Sequence, residues 1–243
     1  MPQLRPFRAA LVLIAALALP VKALADQTDK ATFSLEIKGL SAGRLTFSGK
    51  EQGGSYAVAG RLESAGLVSL IRKIRYDARA HGRVSGTVYT PSRYEEDADT
   101  GKRQSQSVME YRGGVPQVKV YNPPRDPRPG DVDPASQGGT VDPLTALYAT
   151  LRDVPRDQAC NLTLTLFDGR RRSQLVLAPA EAAGDAITCA GEYRRLAGFS
   201  EKDMAEKSRF PFRLIYEDAG NGTVRVSEVT MDSLYGKARL KRR

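Results

Sequence analysis

The sequence has 243 residues and a formal net charge of +9, from 37 Lys and Arg against 28 Asp and Glu, with two cysteines, one histidine and no tryptophan. One histidine and two cysteines cannot supply the four ligands of a structural zinc site, so we expect neither a metal nor a cofactor. The length suffices for one large all-β domain.

Residues 1–25 have the pattern of a secretory signal peptide. Arg5 and Arg8 form a basic start, residues 9–20 are apolar, and residues 23–25 read Ala-Leu-Ala, the small-x-small form of a cleavage site. The apolar stretch is too short to span a bilayer, so we predict removal of the leader; the alternative is an uncleaved N-terminal anchor. The leader holds three basic residues and no acidic one, so the rest of the chain carries +6. We predict a periplasmic protein that does not bind nucleic acid and has no transmembrane segment after cleavage.

From residue 31 onward, the hydrophobic pattern has the period of two that a half-buried strand requires. Phe33, Leu35 and Ile37 alternate with polar residues, and Leu45 and Phe47 do the same after two intervening glycines. Short strands at intervals of about ten residues are typical of an antiparallel meander. We therefore predict a mainly β fold over 26–243, in which a curved sheet forms a barrel or half-barrel.

Residues 65–74 break this alternation. Their apolar side chains fall at helical spacing: Leu67, Leu70, Ile71 and Ile74. The spacing predicts a short helix that covers one end of the sheet. In the strand region that follows, we predict that Val84, Val88 and Tyr89 are buried.

Residues 122–139 contain five prolines and almost no apolar side chain. Such a segment buries too little surface to offset the entropy lost on ordering, so we predict a long exposed loop. A loop of this length in a compact domain is either mobile or functional, and both interpretations stay open.

The main helix is predicted over 142–153. Asp142 is a suitable N-cap, and Pro143 suits the first helical position, where an N–H is not needed. The residues that follow form one apolar stripe, made of Leu144, Leu147, Tyr148 and Leu151. We predict that this stripe docks on the sheet as a lid or plugs the mouth of the barrel.

The only two cysteines, Cys160 and Cys189, bracket a predicted hairpin. Its first strand alternates Leu162, Leu164 and Leu166 with polar residues. Asp168 and Gly169 favour a two-residue type I′ turn. In an exported protein we predict a disulfide between the cysteines, which would stabilise the fold by roughly 3–4 kcal/mol; metal ligation and thiol catalysis are the alternatives.

Three consecutive cations, Arg170, Arg171 and Arg172, follow the turn. We treat them as a candidate contact for lipid phosphates or an acidic partner. The alternative is a charged edge that discourages pairing with strands of other chains.

The order of these elements resembles a known family. The matching pieces are Gly-Leu-Ser-Ala-Gly at 39–43, Pro-Ser-Arg-Tyr at 91–94, Asp-Pro-Leu-Thr-Ala-Leu-Tyr at 142–148, and the Cys…Tyr-Arg…Ala-Gly-Phe pattern of 189–199. Together they resemble the exported bacterial proteins catalogued as domain of unknown function 3108, over about residues 30 to 240. The resemblance implies an exported, mostly antiparallel β fold, and it supplies no catalytic residues.

Few residues point to catalysis. His81 lies between two arginines and is interpreted as an exposed residue at a strand end. The acidic run 95–99 lacks the spacing of a calcium loop. Two carboxylates that meet in space could still hydrolyse a glycoside. We therefore predict no catalytic, cofactor-binding or metal-binding residues.

Three functions fit the sequence. The first is a non-catalytic periplasmic protein that binds an apolar or lipid-like ligand in the curved sheet, or that maintains the envelope, with helix 142–153 as lid or plug. The second is an interaction module that binds another envelope protein through the Pro-rich loop or an open sheet edge. The third is an envelope hydrolase that uses Asp and Glu. The sequence specifies neither the ligand nor the oligomeric state.

Overall fold

The computed structural model describes residues 26–179 and 186–243, so the predicted signal peptide lies outside the described residues. The first seven strands are β1 (Gln27–Ile37), β2 (Leu40–Gln52), β3 (Ser55–Ser64), β4 (Arg75–Ser85), β5 (Val88–Asp99), β6 (Gln104–Arg112) and β7 (Val115–Asn122). The other seven are β8 (Val154–Pro155), β9 (Leu162–Phe167), β10 (Arg172–Pro179), β11 (Ile187–Ala197), β12 (Arg209–Gly220), β13 (Thr223–Ser233) and β14 (Gly236–Arg242). The helices are α1 (Gly66–Ile71), α2 (Pro143–Leu151) and α3 (Glu201–Glu206), with 3₁₀ turns at Pro134–Ser136 and Arg156–Gln158.

The strands form one antiparallel sheet in the order β7-β6-β5-β4-β3-β2-β1-β14-β13-β12-β11-β10-β9, and the short β8 pairs with β13. Along this path, neighbouring strands are consecutive in the chain, except where β1 pairs with β14 and joins the two halves. The prediction of a mainly β, antiparallel, curved sheet is confirmed. The path is open, and its two edge strands are β7 and β9.

The two faces of the sheet differ as the alternation predicts. In β2, Leu45 and Phe47 are buried in the core, whereas Thr46 and Ser48 lie on the opposite, more exposed face. Phe33 in β1 is fully buried against Phe47. One face is therefore the lining of a core and the other is the outer surface.

The Pro-rich loop bridges the two edges of the sheet, and we call residues 123–140 the strap. The N–H of Val132 donates to the carbonyl of Arg170 beside β10 (2.9 Å), and the N–H of Gly139 donates to the carbonyl of Gly114 between β6 and β7 (3.0 Å). Directly after the strap, Val141 forms a parallel bridge with Leu166 in β9. Most of the strap is exposed, as predicted, but its backbone connects the sheet edges.

Helix α1 forms where predicted but does not cover the end of the sheet. Leu70 is 81 % exposed and Ile71 is 87 % exposed. The segment is held at both ends, because Ala65 N–H donates to the Ala42 carbonyl and Ser64 N–H donates to the Ile74 carbonyl. These bonds place the short helix beside β2 instead of across the mouth of the sheet, and the prediction of a covering helix is wrong.

The prediction that Val88 is buried is also wrong, because its side chain is 65 % exposed. Val84 and Tyr89 are buried as predicted. The hairpin pairs Val84 with Tyr89 and Ser85 with Val88. Adjacent residues of a strand face opposite sides of the sheet, so Val88 and Tyr89 cannot both point into the core.

The turn between β9 and β10 also differs from the predicted type I′ turn. Phe167 pairs with Arg172, so four residues connect the strands instead of two. Oδ1 of Asp168 accepts hydrogen bonds from the N–H groups of Arg170 (2.9 Å) and Arg171 (2.8 Å). The Asp168 side chain thus stabilises a wider turn, in which Gly169 takes the positive φ of +95°.

The disulfide between Cys160 and Cys189 is present, with Cα atoms 5.2 Å apart, and that prediction is confirmed. Cys160 lies just before β9, and Cys189 lies within β11. The bond therefore connects the start of an edge strand to the second strand inward from it.

Candidate functional site

Helix α2 fills the space enclosed by the sheet. Of the predicted stripe, Leu144, Tyr148 and Leu151 are buried and Leu147 is partly buried. The ring of Tyr148 packs edge-on against Phe47 and Tyr89. The cavity between α2 and strands β5, β9, β10 and β12 measures about 20 Å³, room for about one water molecule. This space does not accommodate an acyl chain.

A polar network fixes the C-terminal end of α2 to the first two strands. The hydroxyl of Tyr148 donates to Oδ2 of Asp29 at 2.8 Å, and Nε2 of Gln27 donates to Oδ1 of the same carboxylate at 2.8 Å. Nε of Arg152 lies 3.5 Å from Oε1 of Glu51, which also accepts from the hydroxyl of Tyr89. Burial, followed by the charge of Asp29, raises the pKa of the Tyr148 hydroxyl. The network holds the helix in place, and two of its members, Tyr89 and Arg152, border the cavity of about 20 Å³.

The N-terminal end of α2 carries a fully buried carboxyl group, that of Asp142. It accepts hydrogen bonds from the N–H (2.8 Å) and the hydroxyl (2.6 Å) of Thr145, whose Oγ1 lies 2.8 Å from the hydroxyl of Tyr56. Burial raises the pKa of Asp142 to about 6, and the bonds from Thr145 oppose this shift. Asp142 is thus the helix cap that the sequence predicted.

The raised pKa of Asp142 makes the stability depend on pH. A carboxyl whose pKa is higher in the folded state binds its proton more tightly there, so its stabilising contribution is complete below about pH 4 and is lost as the pH rises through about 6. In Asp142→Asn this contribution is absent, while the amide still caps the helix. The free energy of unfolding of the wild type, relative to the variant, should fall by about 3 kcal/mol between about pH 4 and pH 7.

Urea unfolding of both proteins across this pH range measures the difference, because every other titrating group is shared. Far-ultraviolet circular dichroism shows whether the variant keeps the fold. Parallel stability curves for the two proteins would contradict a raised pKa at Asp142.

A large depression lies on the outer face of the sheet, and we call it the groove. It has a volume of about 1010 Å³ and crosses β1 to β7 and the end of β14. Its floor is made of small side chains such as Thr46, Ser48 and Ala59. Sheets and barrels are saddle-shaped because their strands twist, which makes the outer face concave along the strands.

One wall of the groove is a chain of ion pairs between neighbouring strands. Nε of Arg61 lies 2.5 Å from Asp77, and Arg75 contacts Asp77 and also Asp97, the latter at 2.7 Å. Gln106 donates to Oδ2 of Asp97 at 3.1 Å. The bond from Arg61, supported by Arg75, lowers the pKa of Asp77, and the bonds from Gln106 and Arg75 lower the pKa of Asp97.

Asp77 and Asp97 pair directly across β4 and β5, so two carboxylates do meet in this groove. A glycosidase needs one of its two carboxyl groups protonated near neutral pH, to act as the general acid. With both pKa values lowered, neither group fills that role. The Asp77–Asp97 pair therefore does not support the carboxylate-dependent hydrolase considered above.

Two other cations of the groove have no such partner. Lys30 and Arg79 line it, are exposed, and form no ion pair with any residue that the structure describes. Both lie in one cross-strand row on the outer face, with Ser48 and Ala59 between them. The groove is lined by six lysines and arginines and by four acidic residues, of which Asp77, Glu95 and Asp97 are paired with arginines and Glu96 accepts from the hydroxyl of Tyr94. The surplus charge of the groove is therefore positive.

The three arginines that were predicted to form one cationic tip lie in different environments. Arg170 is only 12 % exposed, because Nη1 lies 3.4 Å from Asp131 and Nη2 donates to the carbonyl of Asp126, both in the strap. Arg171 is exposed and stacks on the ring of Phe199. Arg172 is half-buried at the start of β10. The three cations do not form one surface.

Within residues 26–179 and 186–243, no group of three or more His, Cys, Asp or Glu side chains is placed to hold a metal ion. His81 is exposed in β4, opposite Arg93. No helix among the described residues is both long and apolar enough to cross a membrane.

The model of the family described as "Protein of unknown function (DUF3108)" matches residues 32–227. The chain belongs to this family. No curated protein matches the sequence. Among solved structures, the chain is similar to a "Beta-barrel-like Protein of Domain of Unknown Function DUF1849 from Brucella abortus", with 15 % identity and a TM-score of 0.53 over 92 % of this chain and 98 % of that one. At this identity the likeness concerns the fold alone.

The family and the fold confirm the predicted resemblance and architecture, and neither supplies an activity. The groove was not among the sequence predictions. The alternation along each strand indicates that Lys30 and Arg79 face outward, but only the register shows that they share a row. Nothing in the linear sequence states that register.

Proposed function

We propose that this DUF3108 protein is a non-catalytic interaction protein of the bacterial envelope, and that the groove binds an acidic segment of a partner protein. The observation that supports the proposal most is the groove itself, about 1010 Å³ in volume with a mixed polar and apolar lining and a surplus of positive charge. A signal-like leader and a disulfide are typical of an exported chain and support the location.

The structure favours this function over an internal apolar ligand. Helix α2 occupies the interior, and the cavity beside it measures about 20 Å³. Lipid carriers of similar architecture instead keep an apolar cavity of several hundred Å³. The groove is the larger space by far, and charged side chains contribute much of its lining.

The occupant is inferred from charge and shape. Lys30 and Arg79 offer two cations on one side of the wall of Arg61 and Arg75, whose own charges are neutralised by Asp77 and Asp97. The groove runs across the strands over a flat, small-residue floor without an aromatic platform for sugar rings. An extended polypeptide with carboxylates at intervals matches these features, and charge complementarity would set its orientation.

Reversing the two unpaired cations should abolish this complementarity. We expect Lys30→Glu/Arg79→Glu to bind a fluorescent peptide of alternating Glu and Ser about tenfold more weakly than the wild type, since each exposed ion pair contributes up to about 1 kcal/mol. Fluorescence anisotropy at low ionic strength measures the affinity. A peptide of alternating Gln and Ser, which has the same length and no charge, should bind neither protein.

Arg112→Glu/Arg213→Glu is the matched control, because it makes the same change of net charge at two exposed cations that do not line the groove. It should retain the wild-type affinity. Equal losses in the two double variants would mean that only net charge matters, and no binding by the wild type would contradict the proposal outright.

A further inference from the structure

One end of the sheet carries apolar side chains that no part of the described chain covers. Leu70 and Ile71 of α1 are more than four-fifths exposed, Tyr235 between β13 and β14 is 73 % exposed, and Leu40 at the start of β2 is 59 % exposed. Leu234, next to Tyr235, is 39 % exposed. Scattered single exposed apolar residues are ordinary, whereas a contiguous group indicates an interaction surface.

The connections that carry these side chains lie side by side. The N–H of Lys38 donates to the carbonyl of Lys237 at 2.9 Å, which joins the β1–β2 and β13–β14 turns. A Cβ atom on Gly66 would lie 2.9 Å from the carbonyl oxygen of Ser41, so α1 rests against the start of β2. A Cβ atom on Gly101 would lie 2.8 Å from the carbonyl oxygen of Lys73, so the β5–β6 turn adjoins the other end of the α1 segment. We call this continuous surface, residues 38–40, 66–74, 100–103 and 234–237, the rim.

The charge of the rim has a single sign. Its charged residues are Lys38, Arg72, Lys73, Lys102, Arg103 and Lys237, all exposed, and the four segments contain no Asp or Glu. Carboxylates lie close to the rim on the adjoining strands, and Asp232 pairs with Lys237 across β13 and β14. Glu63 faces Arg44 at 3.9 Å, and Asp99 accepts from the N–H of Gly101. The rim therefore combines protruding apolar side chains with exposed cations.

The turns at the opposite end of the sheet differ in composition. Those described are Gly53-Gly54, Gly86-Thr87, Gly113-Gly114 and Asn221-Gly222. These turns themselves hold no charged side chain and no large apolar one, although Val88, Arg83 and Arg112 are exposed on the strands beside them. Apolar side chains and cations therefore occur together in the connections of the rim and not in these turns.

We infer that the rim docks on the surface of an anionic lipid bilayer. Apolar side chains on neighbouring tips can enter the interface between headgroups and acyl chains, while lysines and arginines beside them bind the lipid phosphates. The tips protrude and form no concave site, which suits insertion into a bilayer better than the packing of a folded protein partner. This site is separate from the groove and does not depend on the function proposed for it.

Because the sequence contains no tryptophan, a single introduced indole can report insertion. We expect the emission of Ile71→Trp to shift to shorter wavelength when vesicles containing phosphatidylglycerol are added. Val88→Trp, at an exposed apolar position away from the rim, is the control and should not shift. Vesicles of phosphatidylcholine alone should cause no shift in either variant.

Vesicle flotation measures the binding itself. The wild-type protein should bind phosphatidylglycerol vesicles, and Arg72→Glu/Lys73→Glu should weaken this binding about tenfold, as should added salt. Leu70→Ser/Ile71→Ser should weaken it comparably. Arg83→Glu/Arg112→Glu, which reverses two exposed cations near the opposite turns, should bind as the wild type does.

The results separate the membrane from other partners. No binding of the wild type to anionic vesicles, or an equal loss in the Arg83→Glu/Arg112→Glu control, would overturn the inference. A third result would also overturn the inference. If Arg72→Glu/Lys73→Glu lost binding, Leu70→Ser/Ile71→Ser kept it and the indole emission did not shift, the protein would only adsorb through its positive charge. The groove variant Lys30→Glu/Arg79→Glu should keep its binding to vesicles, so failure at one site is distinguishable from failure at the other.

Discussion

Replacing Tyr148 with alanine is expected to lower the free energy of unfolding by about 3–5 kcal/mol, the usual cost of deleting a large buried aromatic ring. Tyr148 is fully buried at the centre of the core, with its ring against Phe47 and Tyr89 and its hydroxyl bonded to Asp29. No other side chain connects α2 to the core through both an aromatic cluster and a buried hydrogen bond among the contacts described. Urea unfolding monitored by near-ultraviolet circular dichroism measures the loss.

Two further variants test the hydroxyl group of Tyr148 and the packing around its ring separately. Tyr148→Phe keeps the ring and removes the hydroxyl, which should cost only about 1 kcal/mol because Asp29 also accepts from Gln27 and from the N–H of Asp153. Gly49→Ala adds a methyl group 2.6 Å from Cζ of Tyr148, so it should destabilise the wild type by overpacking.

In the Tyr148→Ala background, the methyl group that Gly49→Ala adds occupies part of the cavity left by the ring. The double variant should therefore be more stable than the sum of the single effects predicts, by at least about 0.5 kcal/mol, the coupling expected for side chains in contact. Strict additivity, or a loss below about 1 kcal/mol for Tyr148→Ala, would contradict the role of α2 as a central part of the core.

Much of the architecture follows from patterns that are local in the sequence. The period of two in β1 and β2 depends only on adjacent side chains pointing to opposite faces, and it correctly predicts that Phe33 and Phe47 are buried. The start of α2 is similarly local, because Asp142 and Pro143 act on the first turn of their own helix. Such predictions succeed because the physical cause lies within a few residues.

The predictions that fail depend on contacts between distant segments. The apolar residues of α1 have helical spacing, but whether they cover the sheet depends on where Ala42 and Ile74 bind the ends of the segment. Arg170 occurs in a run of three cations, yet its environment is set by Asp131, in the strap. Neither contact has a local signal.

The candidate sites are the least predictable features for the same reason. The groove needs the register of β1 to β4, which places Lys30 and Arg79 in one row. The rim needs the pairing of β1 with β14, which brings the β1–β2 turn beside the β13–β14 turn. A filled interior leaves the outer surfaces for recognition, and these depend on strand pairing more than on composition.

The disulfide is expected to have the second large effect. Removing it by Cys160→Ala/Cys189→Ala should lower the free energy of unfolding by roughly 3–4 kcal/mol, because the unfolded chain regains the freedom of a loop of about 30 residues. Both cysteines are buried, and they connect the segment before edge strand β9 to β11. Alanine avoids burying two unsatisfied hydroxyl groups, which serine would introduce.

The same loss should appear when the wild type is reduced, and the reducing agent should have no effect on the double alanine variant. Urea unfolding of the wild type and the variant, each with and without reductant, separates the contribution of the disulfide from that of any packing change at the two sites. Thiol labelling of the unreduced wild type shows whether the bond is formed. Because β9 has a free edge apart from the bridge between Leu166 and Val141, amide hydrogen exchange should increase first in β9 when the bond is broken. Two free thiols in the unreduced protein, or equal stability with and without reductant, would contradict this account of how the edge of the sheet is held.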